Sequence, residues 1–97
     1  MSKNLPAHKV IGLAASGAVS ALPTNVYAIL FTPGTANSTF KLTNDANGSG
    51  TAVLPLACLA NGDSVFIDLS NVGPVYFDTK CYATLAGSGA AVTVWYD

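Results

Sequence analysis

The sequence contains no Arg, no Glu and no Gln. Its charge rests on nine side chains in 97 residues: Lys3, Lys9, Lys41, Lys80, Asp45, Asp63, Asp68, Asp78 and Asp97. A free monomer of this size usually devotes about a quarter of its residues to charge. The deficit implies that much of the surface faces other protein. The four lysines are scattered and the net charge is −1, which leaves no clustered cations for nucleic-acid phosphate. No apolar run reaches the roughly 18 residues of a spanning helix, so no membrane partner is expected.

Catalytic parts are missing as well. His8 is the only histidine. No second base, no Gly-x-Ser-x-Gly elbow and no Gly-rich phosphate loop with its Lys accompanies it, so triad and phosphoryl chemistry have nothing to work with. The chain reads as non-enzymatic and without a cofactor. Two cysteines, Cys58 and Cys81, are too few for a disulfide framework and match no zinc spacing. They could meet across a sheet, but small buried hydrophobes with free thiols is the preferred reading.

The N-terminal region has Lys3, His8 and Lys9 ahead of the mild apolar stretch 10–22. Val19-Ser20-Ala21 resembles a signal-peptidase site. Gly12, Ser16, Gly17 and Ser20 dilute the stretch, and an intact, non-secreted chain is the expectation. Residues 1–9 read as an arm, with Leu5 and Val10 able to contact a neighbour, and residues 10–97 as one domain.

What is present is a series of short apolar runs cut by turn residues. They cover 8–14, 18–21, 25–32, 38–43, 51–59, 64–69, 75–78, 81–85 and 90–96. That spacing predicts a single-domain, all-β sandwich of about seven to nine short antiparallel strands, jelly-roll-like or immunoglobulin-like. Several runs alternate. Phe40 and Leu42 oppose Thr39, Lys41 and Thr43. Val65, Ile67 and Leu69 oppose Phe66 and Asp68. Val92, Val94 and Tyr96 oppose Thr93 and Trp95. Alternation is the mark of one-sided burial. The run 25–32 does not alternate, so it is either central or covered by a neighbouring subunit. The expected core is Val26 or Ile29, with Phe40, Leu42, Val65, Ile67, Val92 and Val94. Pro55 marks its segment as an edge or bulged strand. Asn61-Gly62 suggests a tight hairpin.

Two motifs invite functional readings. Asp45-Ala46-Asn47-Gly48-Ser49-Gly50 matches the first half of a calcium loop, but Leu56 falls where the closing acid belongs. An Asx-rich hairpin loop is preferred, with no metal site. Asp68 and Asp78 form at best a weak carboxylate pair, since neither has an evident cause for a raised pKa. Among aromatics, Phe66, Tyr76, Tyr82 and Trp95 fall on outward faces, and Tyr27 and Phe31 lie on the two-sided strand. With Leu5, these are the candidate interface residues, since Trp and Tyr are enriched at interface centres.

The C-terminal half carries a resemblance. Gly73-Pro74-Val75-Tyr76-Phe77-Asp78-Thr79 leads into Cys81-Tyr82-Ala83-Thr84-Leu85-Ala86-Gly87 and then 89–96. Together with Ala15-Ser16-Gly17, Lys41-Leu42-Thr43-Asn44 and the closing Val92-Thr93-Val94-Trp95-Tyr96, this resembles small β-rich virion structural proteins of tailed bacteriophages. The resemblance implies a capsid decoration (cement) protein located in the virion. Its implied partners are the major capsid protein, or another virion protein, and further copies of itself, with a trimer the commonest geometry. A tail or head–tail component is an alternative, as is a carbohydrate- or receptor-binding module built on Tyr76 and Asp78.

Overall fold

In a computed structural model, residues 9–69 and 71–97 are described. They form nine strands: β1 (Lys9–Leu13), β2 (Gly17–Ser20), β3 (Thr24–Thr32), β4 (Ser38–Thr43), β5 (Val53–Cys58), β6 (Val65–Asp68), β7 (Val75–Phe77), β8 (Cys81–Ala86) and β9 (Ala91–Tyr96). Each apolar run of the sequence becomes one strand, and the described residues contain no helix. Val, Ile, Thr and aromatic side chains suit the pleated surface.

The strands make two antiparallel sheets. One has the order β1-β9-β3-β6, with β7 also on β3; the other has the order β2-β8-β4-β5. β6 pairs with Ala28–Phe31 and β7 with Thr24–Val26, so they act as one strand interrupted by the excursion 69–74. Taken that way, the chain is folded in half about the β4–β5 loop. β4 pairs with β5, β3 with β6 and β7, β2 with β8, and β1 with β9. Successive pairs alternate between the sheets, which is jelly-roll order rather than immunoglobulin-like order.

The core lies between the layers. Val26, Ile29, Phe31, Val92 and Val94 face Phe40, Leu42, Cys81 and Ala83. Phe31 of β3 and Phe40 of β4 stack at 5.6 Å between centroids, joining the two sheets. Of the expected core, Val26, Ile29, Phe40, Leu42, Val92 and Val94 are buried. Val65 and Ile67 face the same way but are only half-buried, because β6 is an edge.

β3 is central, which accounts for its lack of alternation. A register shift between Val26 and Ala28 opposite β9 inserts an extra residue at Tyr27. Pro55 lies in edge strand β5, which also carries a bulge: Phe40 faces Leu56 while Leu42 faces Val53. The extra residue there is Leu54, with φ at 54°. An edge bulge is where a proline lacking its N–H costs least.

Two sequence expectations need correction. Asn61 does adopt positive φ, at 55°, and the Gly62 N–H donates to the Leu59 carbonyl at 3.0 Å. But β5 and β6 belong to different sheets, so this turn begins a crossover and not a hairpin. Lys9, expected in the arm, is the first residue of β1 and pairs with Tyr96. The rest of the arm, including Leu5, lies outside the described residues.

The loops are tied by backbone. Thr35 N–H donates to the Ser88 carbonyl at 2.9 Å, and Asn61 N–H to the Gly34 carbonyl at 2.8 Å. Gly34 packs so closely on Ser88 that a Cβ would collide with the Ser88 carbonyl. The loops 33–37, 59–64 and 87–90 are thereby clamped together at one end.

Candidate interaction face

The registers define the outer face of the five-stranded sheet. One cross-strand row reads Val10, Trp95, Ala28, Asp68. The next reads Gly12, Thr93, Leu30, Phe66. Trp95 and Phe66 are diagonal to each other across β3. Their rings meet edge to face, 6.0 Å apart with planes at 90°, the geometry favoured by aromatic quadrupoles. Ala28 is buried although it points outward; in the ladder it lies beside Trp95 and diagonal to Phe66. Tyr76 projects from the same face further along, opposite Asn25.

The face is open and mostly apolar, with Asp68, Thr93 and Asn25 as its polar members. Val10 is 55% exposed, Phe66 57% and Tyr76 61%. Trp95 and Leu30 are half-buried. The pattern that exposes Phe66 is the alternation of β6: burying Val65 and Ile67 obliges Phe66 to face outward.

The opposite sheet differs. Its outer face carries Ala18, Thr39, Lys41, Ala57 and Thr84, small or polar apart from Tyr82. A shallow groove of about 350 Å³ runs over β4 and β5, lined by Thr39, Lys41, Pro55, Ala57 and Thr84 among others. Tyr82 is half-buried beneath the β4–β5 loop, where a Cβ on Gly48 would approach its ring at 3.1 Å.

Of the seven side chains singled out from sequence, Phe66, Trp95 and Tyr76 therefore share one face. Tyr82 lies on the other. Tyr27 is half-buried at the β3 bulge, where its carbonyl accepts the Leu69 N–H at 2.9 Å. Phe31 is a correction: it is fully buried against Phe40 and has no outer surface to offer. The bulge at Tyr27 resets the alternation and turns Phe31 inward. Leu5 lies outside the described residues. Val10, named from sequence only as a neighbour contact of the arm, and Leu30, which has no signal in its unalternating run, complete the face.

The acidic motifs are occupied by their own loops. Asp45 Oδ1 accepts the Thr43 hydroxyl at 2.8 Å and the Gly48 N–H at 2.7 Å, and Oδ2 accepts the Gly50 N–H at 2.6 Å. The Thr43 hydroxyl, then the backbone donors, outweigh desolvation and hold this carboxyl at about 2. Donors fill the oxygens that a cation would need. Asp78 Oδ1 accepts the Asn44 amide at 2.7 Å and the Thr79 hydroxyl at 3.1 Å. These bonds lower its pKa, opposite to what a general acid requires. Among the described residues, no three His, Cys, Asp or Glu side chains come together as a metal site. Cys58 and Cys81 are free thiols, and burial pushes Cys81 up to about 12.

No protein-family model, curated protein or solved structure matches the chain.

Proposed function

We propose that this chain is a structural virion protein, a capsid decoration subunit that docks on an assembled shell through the outer face of its five-stranded sheet. The observation that carries the reading is the pairing of two facts. The chain has nine charged residues in 97, and three of its four outward aromatics, Phe66, Tyr76 and Trp95, share one face around the Phe66–Trp95 pair. A monomeric surface tolerates single exposed apolar groups, but an aromatic cluster bordered by a single carboxylate, Asp68 at the β6 edge, marks an interaction surface. Jelly-roll order occurs in viral capsid proteins and in lectins alike, so the fold selects neither. The resemblance to small phage virion proteins supplies the partner: the major capsid protein, with further copies of this chain beside it. No nucleic-acid contact belongs to the proposal, given the scattered lysines.

The test is quantitative mass spectrometry of virus particles purified from cells that make the chain. The proposal expects the chain in the particles at a copy number comparable to the major capsid protein. A chain left wholly in the particle-free fraction would contradict it. A few copies per particle would move the role to the tail or head–tail joint.

A further inference from the structure

The two sheets have four edges, and three of them carry a device that blocks strand addition. β2 has four residues and a register shift between Ala18 and Ser20. β5 has Pro55 and the bulge at Leu54. The β6–β7 edge is interrupted by the excursion 69–74. β1 has none of these. It pairs with β9 through five consecutive residues without a shift. It contains no proline, and its single charge, Lys9, is at its first position. Among the described residues nothing pairs with its other side. A regular edge strand whose one charge sits at its end is a template for another strand, and folded proteins usually blunt such an edge along its length.

We propose that β1 is a homotypic docking edge, on which β1 of a second copy of this chain adds antiparallel about a two-fold axis at Ile11. That register places Ile11 opposite the second copy's Ile11, Val10 opposite its Gly12, and Lys9 opposite its Leu13. It is the symmetric register that uses all five residues of each strand.

The side chains fit it. Val10 is 55% exposed and points outward. A Cβ built on Gly12 meets nothing within 4 Å, so the open space beside Gly12 receives the second copy's Val10. Ile11, half-buried on the inner side, meets the second copy's Ile11, and Leu13, half-buried on the same side, lies against the aliphatic stem of its Lys9. A slip of one residue would set inward against outward side chains. Charge favours the same arrangement. Antiparallel pairing separates the two Lys9 side chains by four residues along the strand, about 13 Å at 3.3 Å per residue, beyond the roughly 8–10 Å screening length. Parallel pairing would put them side by side.

Two five-residue edges bury less than the roughly 800 Å² per partner of a stand-alone complex. The pairing is therefore concentration-dependent, and it fills where copies are held close to one another. It makes one continuous sheet whose outer face carries two Phe66–Trp95 pairs. The inference rests on edge geometry and not on the virion reading, and its test contains no capsid.

Val10→Cys and Gly12→Cys are made separately in a Cys58→Ser background, with Cys81 retained in the core. Opposed strand residues have Cα atoms about 4.5–5.5 Å apart, within disulfide range. Identical positions two residues out of register are about 8 Å apart, outside it. Mild oxidation of the mixture is expected to give at least ten times more covalent dimer than either variant alone. Equal yields from the mixture and the single variants, or no dimer in the mixture, would overturn the proposal. Sedimentation equilibrium of the otherwise unchanged chain is the second measurement. Its mass should rise from 9.8 kDa toward twice that value with concentration, and Val10→Lys, at an exposed position, should stay monomeric while melting normally. Identical masses for both chains at millimolar concentration would overturn it as well.

Discussion

Phe31 offers the sharpest test of the interior. Sequence alone leaves it as an interface candidate, whereas the fold makes it fully buried and stacked on Phe40 at 5.6 Å. Replacement by Ala removes a ring that joins the two sheets. Val92 across β9 and Val65 across β6 are fixed by their ladders and cannot close the void. The usual cost of Phe→Ala in a core is about 3–5 kcal/mol. A domain of 60–100 residues loses about 4–8 °C per kcal/mol, so the melting temperature should fall by more than about 12 °C. Phe66→Ala, at a side chain 57% exposed, should shift it by no more than a few degrees. Thermal melts followed by far-ultraviolet circular dichroism, read at two protein concentrations, separate the two effects. If Phe31→Ala melted within about 2 °C of the parent, the placement of Phe31 and the bulge at Tyr27 would both be wrong.

Other outcomes follow from the same geometry. Val94→Asp puts an unpaired carboxylate between Ile11 and Ile29 in the sheet interior; several kcal/mol of desolvation is of order the whole stability of a small domain, and the variant should be unfolded by circular dichroism. Gly34→Ala drives a methyl into the Ser88 carbonyl and should cost about 1–3 kcal/mol in urea denaturation. Asp45 has a folded pKa near 2, below its ordinary 3.8. Its contribution is therefore complete above about pH 4 and is lost as the pH falls through 2. Asp78 acts in the same direction. Acid titration of the melting temperature should be flat above pH 4 and fall below it, with a shallower fall in Asp45→Asn. Calcium and chelator should give superimposable melts, since donors already fill the Asp45 oxygens.

The strands were legible because alternation and turn residues are local signals. Val65-Phe66-Ile67-Asp68 shows its two faces in four letters, and Pro55 announces an edge or a bulge where the strand has both. Sheet membership was not legible. The pairing of β1 with β9 joins the two ends of the chain and leaves no mark on either run. For the same reason Asn61-Gly62 suggested a hairpin: the turn chemistry is local, but whether its flanking strands share a sheet is decided by distant partners. The face was only partly legible. Phe66 and Trp95 follow from alternation, but their meeting across Ala28 depends on the registers of three strands. Phe31 was misplaced because its run does not alternate, and which of its apolar side chains turn inward is decided by the extra residue at Tyr27 opposite β9.

The central claim is that the face built by Val10, Leu30, Phe66, Tyr76 and Trp95 is covered by protein in the working assembly. Hydroxyl-radical footprinting reads this directly, since aromatic side chains are oxidised where solvent reaches them. Phe66, Tyr76 and Trp95 should be modified readily in the dilute chain and protected in purified particles, while Tyr82 on the opposite sheet changes little. Equal modification of Phe66, Tyr76 and Trp95 in both samples would contradict the claim.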